Sequence, residues 1–325
     1  MTQTDFTPSF AKAVSGEAAM VEKHWQELSS RRRMYSLLII GGLLLALTAS
    51  LWFANESNAG KFWDRLPHLF DFVGDMMPRD GWEVWRAMLD LPSPYFDGSQ
   101  KYDYEAGRMY LFGSDYYIPK YFYKMLETLN IAMMATLIGF FFGFILCFFA
   151  AKNLTASRAL RFFVRRYMEI LRAFPEIVIA GFFAAILSFG PISAIVAVGI
   201  HTIGALGKLF FEVVENADMK AEEGLRAVGA NWVERVGFGI VPQVMPNFMS
   251  YAFLRFEINV RASTIIGAVG GGGIGEALRL SIGHGHQAKT LAIVLLLFVT
   301  IIAVDQVSAW LRGRLVGAQA FKFGA

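Results

Sequence analysis

Cysteine is almost absent from the 325 residues. Cys147 stands alone, so no intramolecular disulfide can form and a disulfide-stapled scaffold is excluded. Charge is scarce too, at 18% of residues, against about 25% in an ordinary soluble domain. The formal net charge is only +3 and no basic block dominates, which argues against a nucleic-acid partner. No G-x-x-x-x-G-K-[ST] occurs, and neither H-E-x-x-H nor G-x-S-x-G is present. The chain therefore shows no P-loop to cradle ATP and lacks the usual metalloprotease and hydrolase signatures. What is there is apolar: 55% hydrophobic and 15% aromatic residues, 30 of them Phe, with a mean hydropathy of +0.43. So apolar a chain would not stay solvated as a disordered one. Folded as soluble domains it would have to expose its surplus, which leaves a polytopic membrane protein.

The spacing of charges agrees. A helix crossing the hydrocarbon core needs about 20 mostly apolar residues. Uncharged runs cover Tyr35–Asn55, Asn130–Ala151, Gly237–Leu254, Ala262–Gly275 and Thr290–Val304. Between Ala173 and Gly207 the only charge is Glu176, and Gly190-Pro191 marks a turn between two spans. The pattern predicts an all-α protein of six spans, with residues 262–286 as an extra broken or short helix. The organisation expected is a polar tail (1–34), a first anchor (35–55), an outer segment (56–119), a main transmembrane domain (120–310) and a C-terminal tail (311–325). The polar start and the triplet Arg31-Arg32-Arg33 mark the first span as an uncleaved anchor rather than a signal peptide.

Lys and Arg cluster before the first span, between the second and third, between the fourth and fifth, and after the sixth. With six spans all these loops share one side, which the positive-inside rule makes cytoplasmic, with both termini. The stretch from 55 to 120 carries seven Lys/Arg against eleven Asp/Glu and falls outside. Its aromatics, among them Trp63, Trp82, Trp85, Tyr102, Tyr104, Tyr116 and Tyr117, suit either a cap on the lipid headgroups or a docking surface for an external partner.

The polar segment 216–236 is the most informative cytoplasmic stretch. Good helix formers run from Met219 to Val228, and Gly229 can stop them in the left-handed region. Asn231 with Glu234 three residues on has the form of an N-cap with its capping-box partner. Such a helix pair either ties spans together or contacts a partner. Here Glu223-Gly224-Leu225-Arg226-Ala227-Val228-Gly229-Ala230-Asn231, then Ile240-Val241-Pro242, resembles the "EAA" coupling loop of ATP-binding-cassette (ABC) importer permeases. Glu223, Gly229 and Pro242 fall at the family's positions. Gly224 and Leu225 replace its two alanines, and Gly239 stands where Ile is usual. The stretch Arg255 to Thr264, the run Gly267 to Gly275, and Arg172-Ala173-Phe174-Pro175-Glu176 look like the phosphonate-importer branch of that family.

The resemblance covers roughly residues 120–310. It implies a type I ABC importer permease fold with a cytoplasmic coupling helix. It implies contact with an ABC ATPase dimer, which would hold ATP and Mg, through Glu222, Glu223, Arg226, Ala227, Gly229, Ala230 and Pro242. It implies a periplasmic phosphonate-binding protein, a second permease copy or paralogue, and a substrate among phosphonate, phosphite and phosphate. The substrate pathway is expected along Arg255, Glu257, Asn259, Arg261, Ser263, Thr264, Gly270 and Gly272.

On their own terms, Arg255, Glu257 and Arg261 are intramembrane charges, which are expensive and usually functional. Glu257 and Arg261 stand four apart in the favourable order for a helical pair. Arg255 lies on another face and is expected to keep its charge free for an anion. Paired intramembrane charges can equally be structural. Gly270–Gly275 formally matches G-x-G-x-x-G, but without a strand before it the run reads as close packing, a hinge, or a helix break whose N–H groups meet an anion. Glu176 after Pro175 reads as a favourable charge at a helix start. His201 and Cys147 read as packed helix residues. His284 and His286 read as loop residues without further ligands for a metal. Glu176, Glu257 and Asp305 are too scattered to suggest a proton chain, so uphill transport would draw its energy from another subunit.

Overall fold

The computed structural model describes residues 8–57, 61–77, 81–89, 91, 108–110, 117–283 and 287–320. The chain divides into two units, residues 1–74 and 75–325. In the first, α1 (Pro8–Ser57) is a single 50-residue helix. The expected tail and anchor are thus one element. Residues 17–40 are rich in Ala, Glu, Lys, Leu and Arg and contain neither Pro nor Gly, so nothing interrupts propagation. Its part Lys23–Ser57, 35 residues, is long and apolar enough to cross a membrane. α2 (Phe62–Met76) is amphipathic, with Pro67 inside it.

The second unit is not wholly helical. Strands β1 (Arg108–Tyr110) and β2 (Tyr117–Pro119) pair antiparallel, with Arg108 opposite Pro119. The all-α expectation holds beside this short ladder, which pairs three residues with three and is too short to leave an alternation in the sequence. α3 (Gly81–Met88) buries Val84 and Ala87 against Ala292 of α12 (Gln287–Ala320). Trp82 and Trp85 face outward.

The bundle centres on α4 (Lys120–Ala150) and α7 (Pro191–Glu215). A Cβ added at Gly143 would stand 3.1 Å from the Gly207 amide nitrogen, so glycine at both sites lets the two backbones approach. Lipid gives helices no hydrophobic drive to associate, and such close packing supplies the attraction instead. Beside it Phe210 and Phe248 stack with centroids 4.1 Å apart, and Phe144 meets both Phe148 and Phe248 edge-on.

Four described helices can each cross a membrane unbroken, and two bent pairs bring the number to six if each pair counts as one span. α5 (Arg158–Ala173) and α6 (Glu176–Leu187) meet at 84°. The bend sits where Phe174 is extended before Pro175, the conformation a following proline imposes. α6 alone has 12 residues, about 18 Å, short of a ~30 Å core. The second pair holds a π-helical turn (Arg235–Ile240) and α10 (Val241–Ile266). A second π turn (Gly267–Gly271) then leads at 55° into α11 (Gly273–Gly283). The break falls inside the predicted 262–286 segment. Gly270 and Gly272 have φ of +107° and +79°, which only glycine adopts freely.

Candidate functional site

Two polar regions stand out, at the segment 216–236 and midway along the bundle. In the first, α8 (Lys220–Ala227) ends at Gly229, whose φ is +83°. Asn231 then caps α9 (Trp232–Glu234) in a complete capping box, its Oδ1 accepting from the Glu234 amide at 2.9 Å while Glu234 Oε2 accepts from the Asn231 amide at 2.8 Å. This is the local structure expected from the sequence. Gln243 at the start of α10 donates to the Asp218 carbonyl at 3.0 Å and accepts from the Asp218 amide. Trp232 stacks on Phe149 at 5.6 Å.

Glu223, Arg226, Ala227, Gly229 and Pro242 are exposed and Ala230 is half-buried. Glu222 differs: it is buried, and Arg235 Nη1 donates to its Oε1 at 2.6 Å. It fastens α8 to the π turn, so it is corrected from an outward contact to an internal tie. Gly239 explains a departure from the family pattern. A Cβ there would lie 3.1 Å from the Glu222 amide nitrogen, so the isoleucine usual at that place would push α8 away. Sequence reasoning overlooked Val228 and Val233, which are 80% and 69% exposed. Apolar side chains bare on a polar segment were the available signal.

Midway along the bundle, Arg255 of α10 meets Glu176 of α6 and His201 of α7. Arg255 Nη2 donates to Glu176 Oε1 at 2.8 Å and lies 2.5 Å from His201 Nδ1. His201 Nδ1 is in turn 2.8 Å from Glu176 Oε1. His201 is ten residues from the first residue of α7 and Arg255 eleven from the last of α10, about 15 Å and 16 Å along their helices. That is close to half a bilayer core. Three readings are corrected here. Arg255 does not keep its charge free. Glu176 opens α6 as expected but is also an ion-pair partner. His201 is a polar partner rather than a packed bystander. Helical spacing could not reveal a pair 79 positions apart.

Behind the guanidinium lies a closed network. Asn259 and Thr202 are fully buried. Asn259 Nδ2 donates to Thr136 Oγ1 at 2.9 Å and Thr202 Oγ1 at 3.1 Å, and Arg255 Nε reaches Thr202 Oγ1 at 3.4 Å. Ser263 is also buried, and Thr264 bonds back to the Val260 carbonyl. On another face, Arg261 Nη2 donates to Glu257 Oε1 at 2.8 Å and Asp305 Oδ2 at 2.9 Å. Glu257 and Asp305, expected to be scattered, thus share one arginine. Gly270 and Gly272 line a separate pocket of about 580 Å³ with Lys124, Glu127, Glu276 and Arg279. Lys124 pairs there with Glu127 at 2.9 Å and Glu276 at 3.3 Å. The Ile274 amide at the helix break donates to Thr128 Oγ1 at 2.8 Å, so that donor is already used. No group of three or more metal-binding side chains occurs among the described residues; His284 and His286 lie outside them.

Comparison with known proteins adds three findings. Residues 135–317 match the family model described as binding-protein-dependent transport system inner membrane component. The phosphite transport system permease protein PtxC of Stutzerimonas stutzeri is 36% identical over 284 residues, 86% of this chain and 89% of that one. A phosphate-import permease protein of Mycolicibacterium smegmatis is 37% identical over 190 residues, and a putative phosphite permease protein of S. stutzeri is 36% identical over 152. The matches span 36% and 58% of those two relatives' lengths. Among solved structures, the inward-facing MetNI methionine ABC transporter matches with a TM-score of 0.52 at 19% identity, over 60% of this chain and 95% of that one. A bacterial alginate ABC importer matches at 0.50 and 13%, over 82% and 99%. These two establish the fold alone.

Proposed function

The chain belongs to the binding-protein-dependent transport system inner membrane components and has the type I ABC importer permease fold, and on that premise we propose that it is the permease of an importer for a phosphorus oxyanion. The substrate is phosphite, phosphate or a phosphonate. The observation that carries the substrate class is the likeness to the phosphite permease over most of both chains. Arg255 supports it, as a guanidinium held at mid-depth where a cation is expensive unless it has work to do.

In this reading an external binding protein delivers the oxyanion, and two permease copies, identical or paralogous, enclose one pathway in the bilayer. The segment 216–236 seats in an ABC ATPase subunit through Glu223, Arg226, Ala227, Gly229 and Val228. Two such subunits hold ATP and Mg. Their closure on ATP moves the two coupling segments, and the bundles rock between outward- and inward-facing states. Both termini and the coupling segment face the cytoplasm in this reading, which the Lys/Arg-rich loops support. Along the pathway we place Arg255 first. Asn259 backs it through Thr202, Ser263 is enclosed about two turns further along α10, and Glu257 and Arg261 form a separate paired group.

The test is uptake. Cells lacking their own importers receive this chain with the ATPase and binding protein encoded beside it and are offered labelled phosphite, phosphate and methylphosphonate. ATP-dependent accumulation of at least one is expected. Failure of all three, with accumulation of a neutral solute instead, overturns the substrate class.

A further inference from the structure

We propose that Arg255, Glu176 and His201 form an intramembrane oxyanion site that works by exchange of partners. The passing oxyanion takes Arg255 from Glu176, and Glu176 is taken over by His201. The inference rests on the oxyanion-importer reading above and adds to it the site, its internal competitor and a proton.

The geometry of the three atoms carries the argument. Arg255 Nη2, Glu176 Oε1 and His201 Nδ1 form one triangle with sides of 2.8, 2.5 and 2.8 Å. Nδ1 can serve only one edge at a time. Unprotonated, it accepts from Arg255 Nη2. Protonated, it donates to Glu176 Oε1. Both states fit the same heavy-atom positions, so Glu176 can change partner without leaving its place.

Charge balance says when each state holds. With neutral His201 the cluster is one cation and one anion, and sums to zero. A monoanionic substrate bound to Arg255 would leave one uncompensated negative charge in a medium that penalises it. One proton from the aqueous phase on His201 Nδ1 restores zero and supplies the donor that Glu176 has lost. Binding of the anion and uptake of the proton are then linked, and release of the anion returns the proton.

The cluster also has the asymmetry of a site rather than of a structural tie. The Nε edge of Arg255 is anchored to Thr202 and, through it, to the fully enclosed Asn259 and Thr136. The outer side is open: Glu176 and His201 side chains are 23% and 19% exposed. Among the described residues, Arg255 Nη1 and Glu176 Oε2 have no hydrogen-bond partner. A free fork nitrogen next to an anchored one is what a tetrahedral oxyanion needs.

Other charges are accounted for helix by helix. On α10, Glu257 and Arg261 pair with Asp305 and Arg312 of α12. On α7, Lys208 pairs with Glu212. α4 presents Thr136 to the network, while its Lys124 and Glu127 belong to the pocket with Glu276 of α11. α6 carries only Glu176. From α5, Arg172 packs its backbone against Gly204, one turn from His201, and its exposed cation suits the approach of an anion.

The experiment uses the complete transporter in proteoliposomes, with ATPase subunits and saturating binding protein. Oxyanions imported per ATP hydrolysed are measured from pH 6 to 8.5, so that pH effects on hydrolysis cancel. For the wild type the ratio should fall several-fold between the acid and the alkaline end of that range. Glu176→Gln removes the competing charge and should flatten the profile while transport continues. His201→Gln should be several-fold low at pH 6 and approach the wild type at pH 8.5. Arg255→Gln should lose at least tenfold in uptake with the ATPase still bound. If Arg255→Gln fails to assemble, the Glu176→Gln profile decides alone. A flat wild-type profile, a wild-type slope retained in Glu176→Gln or in His201→Gln, or normal uptake by an assembled Arg255→Gln overturns the proposal. A wild type that imports no phosphorus oxyanion overturns the substrate reading instead, so the two failures are distinguishable.

Discussion

Arg261 shows how one side chain can hold two helices together by charge. It donates to Glu257 one turn back on its own helix and to Asp305 on α12, while Arg312 of α12 approaches Glu257 Oε2 at 3.6 Å. Two cations thus face two carboxylates. Arg261→Gln takes this cation from Asp305 and leaves Glu257, whose side chain is only 13% exposed, with Arg312 at 3.6 Å. Because the arginine is 44% exposed, solvent screens part of the loss, and a destabilisation on the order of 1 kcal/mol is expected. Thermal unfolding of the detergent-solubilised protein checks it: the midpoint falls in Arg261→Gln and recovers in Arg261→Gln/Asp305→Asn. A double variant no more stable than the single one would place the cost in lost packing. The Glu257–Arg261 pair was legible in the sequence because four-residue spacing fixes neighbours on a helix. The Asp305 contact and the Glu176–Arg255 pair were not, because they depend on how separate helices rotate against one another.

At the scale of elements, glycine sets the distance between α4 and α7. Gly139-Phe-Phe-Phe-Gly143 is a small-xxx-small stripe, the pattern by which membrane helices approach closely. It was readable in the sequence, yet it is hidden within a run of phenylalanines whose hydropathy says only that a span is present. Gly143→Leu should force the backbones apart at Gly207 and cost about 1–3 kcal/mol, as overpacking does in tight cores. Gly41→Leu on α1 is the matched control, since nothing lies within 4 Å of a Cβ there. Membrane yield and unfolding midpoint should drop for the first and not the second; equal effects would show that bulk alone, not the α4–α7 contact, is responsible. The bends follow the same division. Pro175 and the glycines at 270–273 announce that a helix stops, so the places were legible. The angles of 84° and 55° are set by packing on neighbouring helices and were not.

For the whole molecule, the proposed function raises the question of how hydrolysis by a partner ATPase would reach Arg255 within the bundle. Segment 216–236 is braced internally by Glu222 on Arg235 and tied to the bundle by Gln243 on Asp218 and Trp232 on Phe149. A push on α8 therefore passes through the π turn into α10, the helix that carries Arg255, rather than bending the segment alone. The surface left to receive that push includes Val228, whose exposure would be a liability unless a partner covers it. Cys147 is buried, so a single introduced cysteine can report on this surface without background. Val228→Cys should react with a membrane-impermeant maleimide only once the cytoplasmic side is opened, and the bound ATPase should slow its labelling at least tenfold. Val228→Asp puts a charge into the same contact and should abolish co-purification of the ATPase, yet leave the unfolding midpoint unchanged, because the native side chain packs against little. Labelling from the outer side would reverse the assigned orientation. Undiminished labelling in the complex, together with normal co-purification of Val228→Asp, would move the docking surface away from this segment and remove the route from ATP to Arg255 through α10.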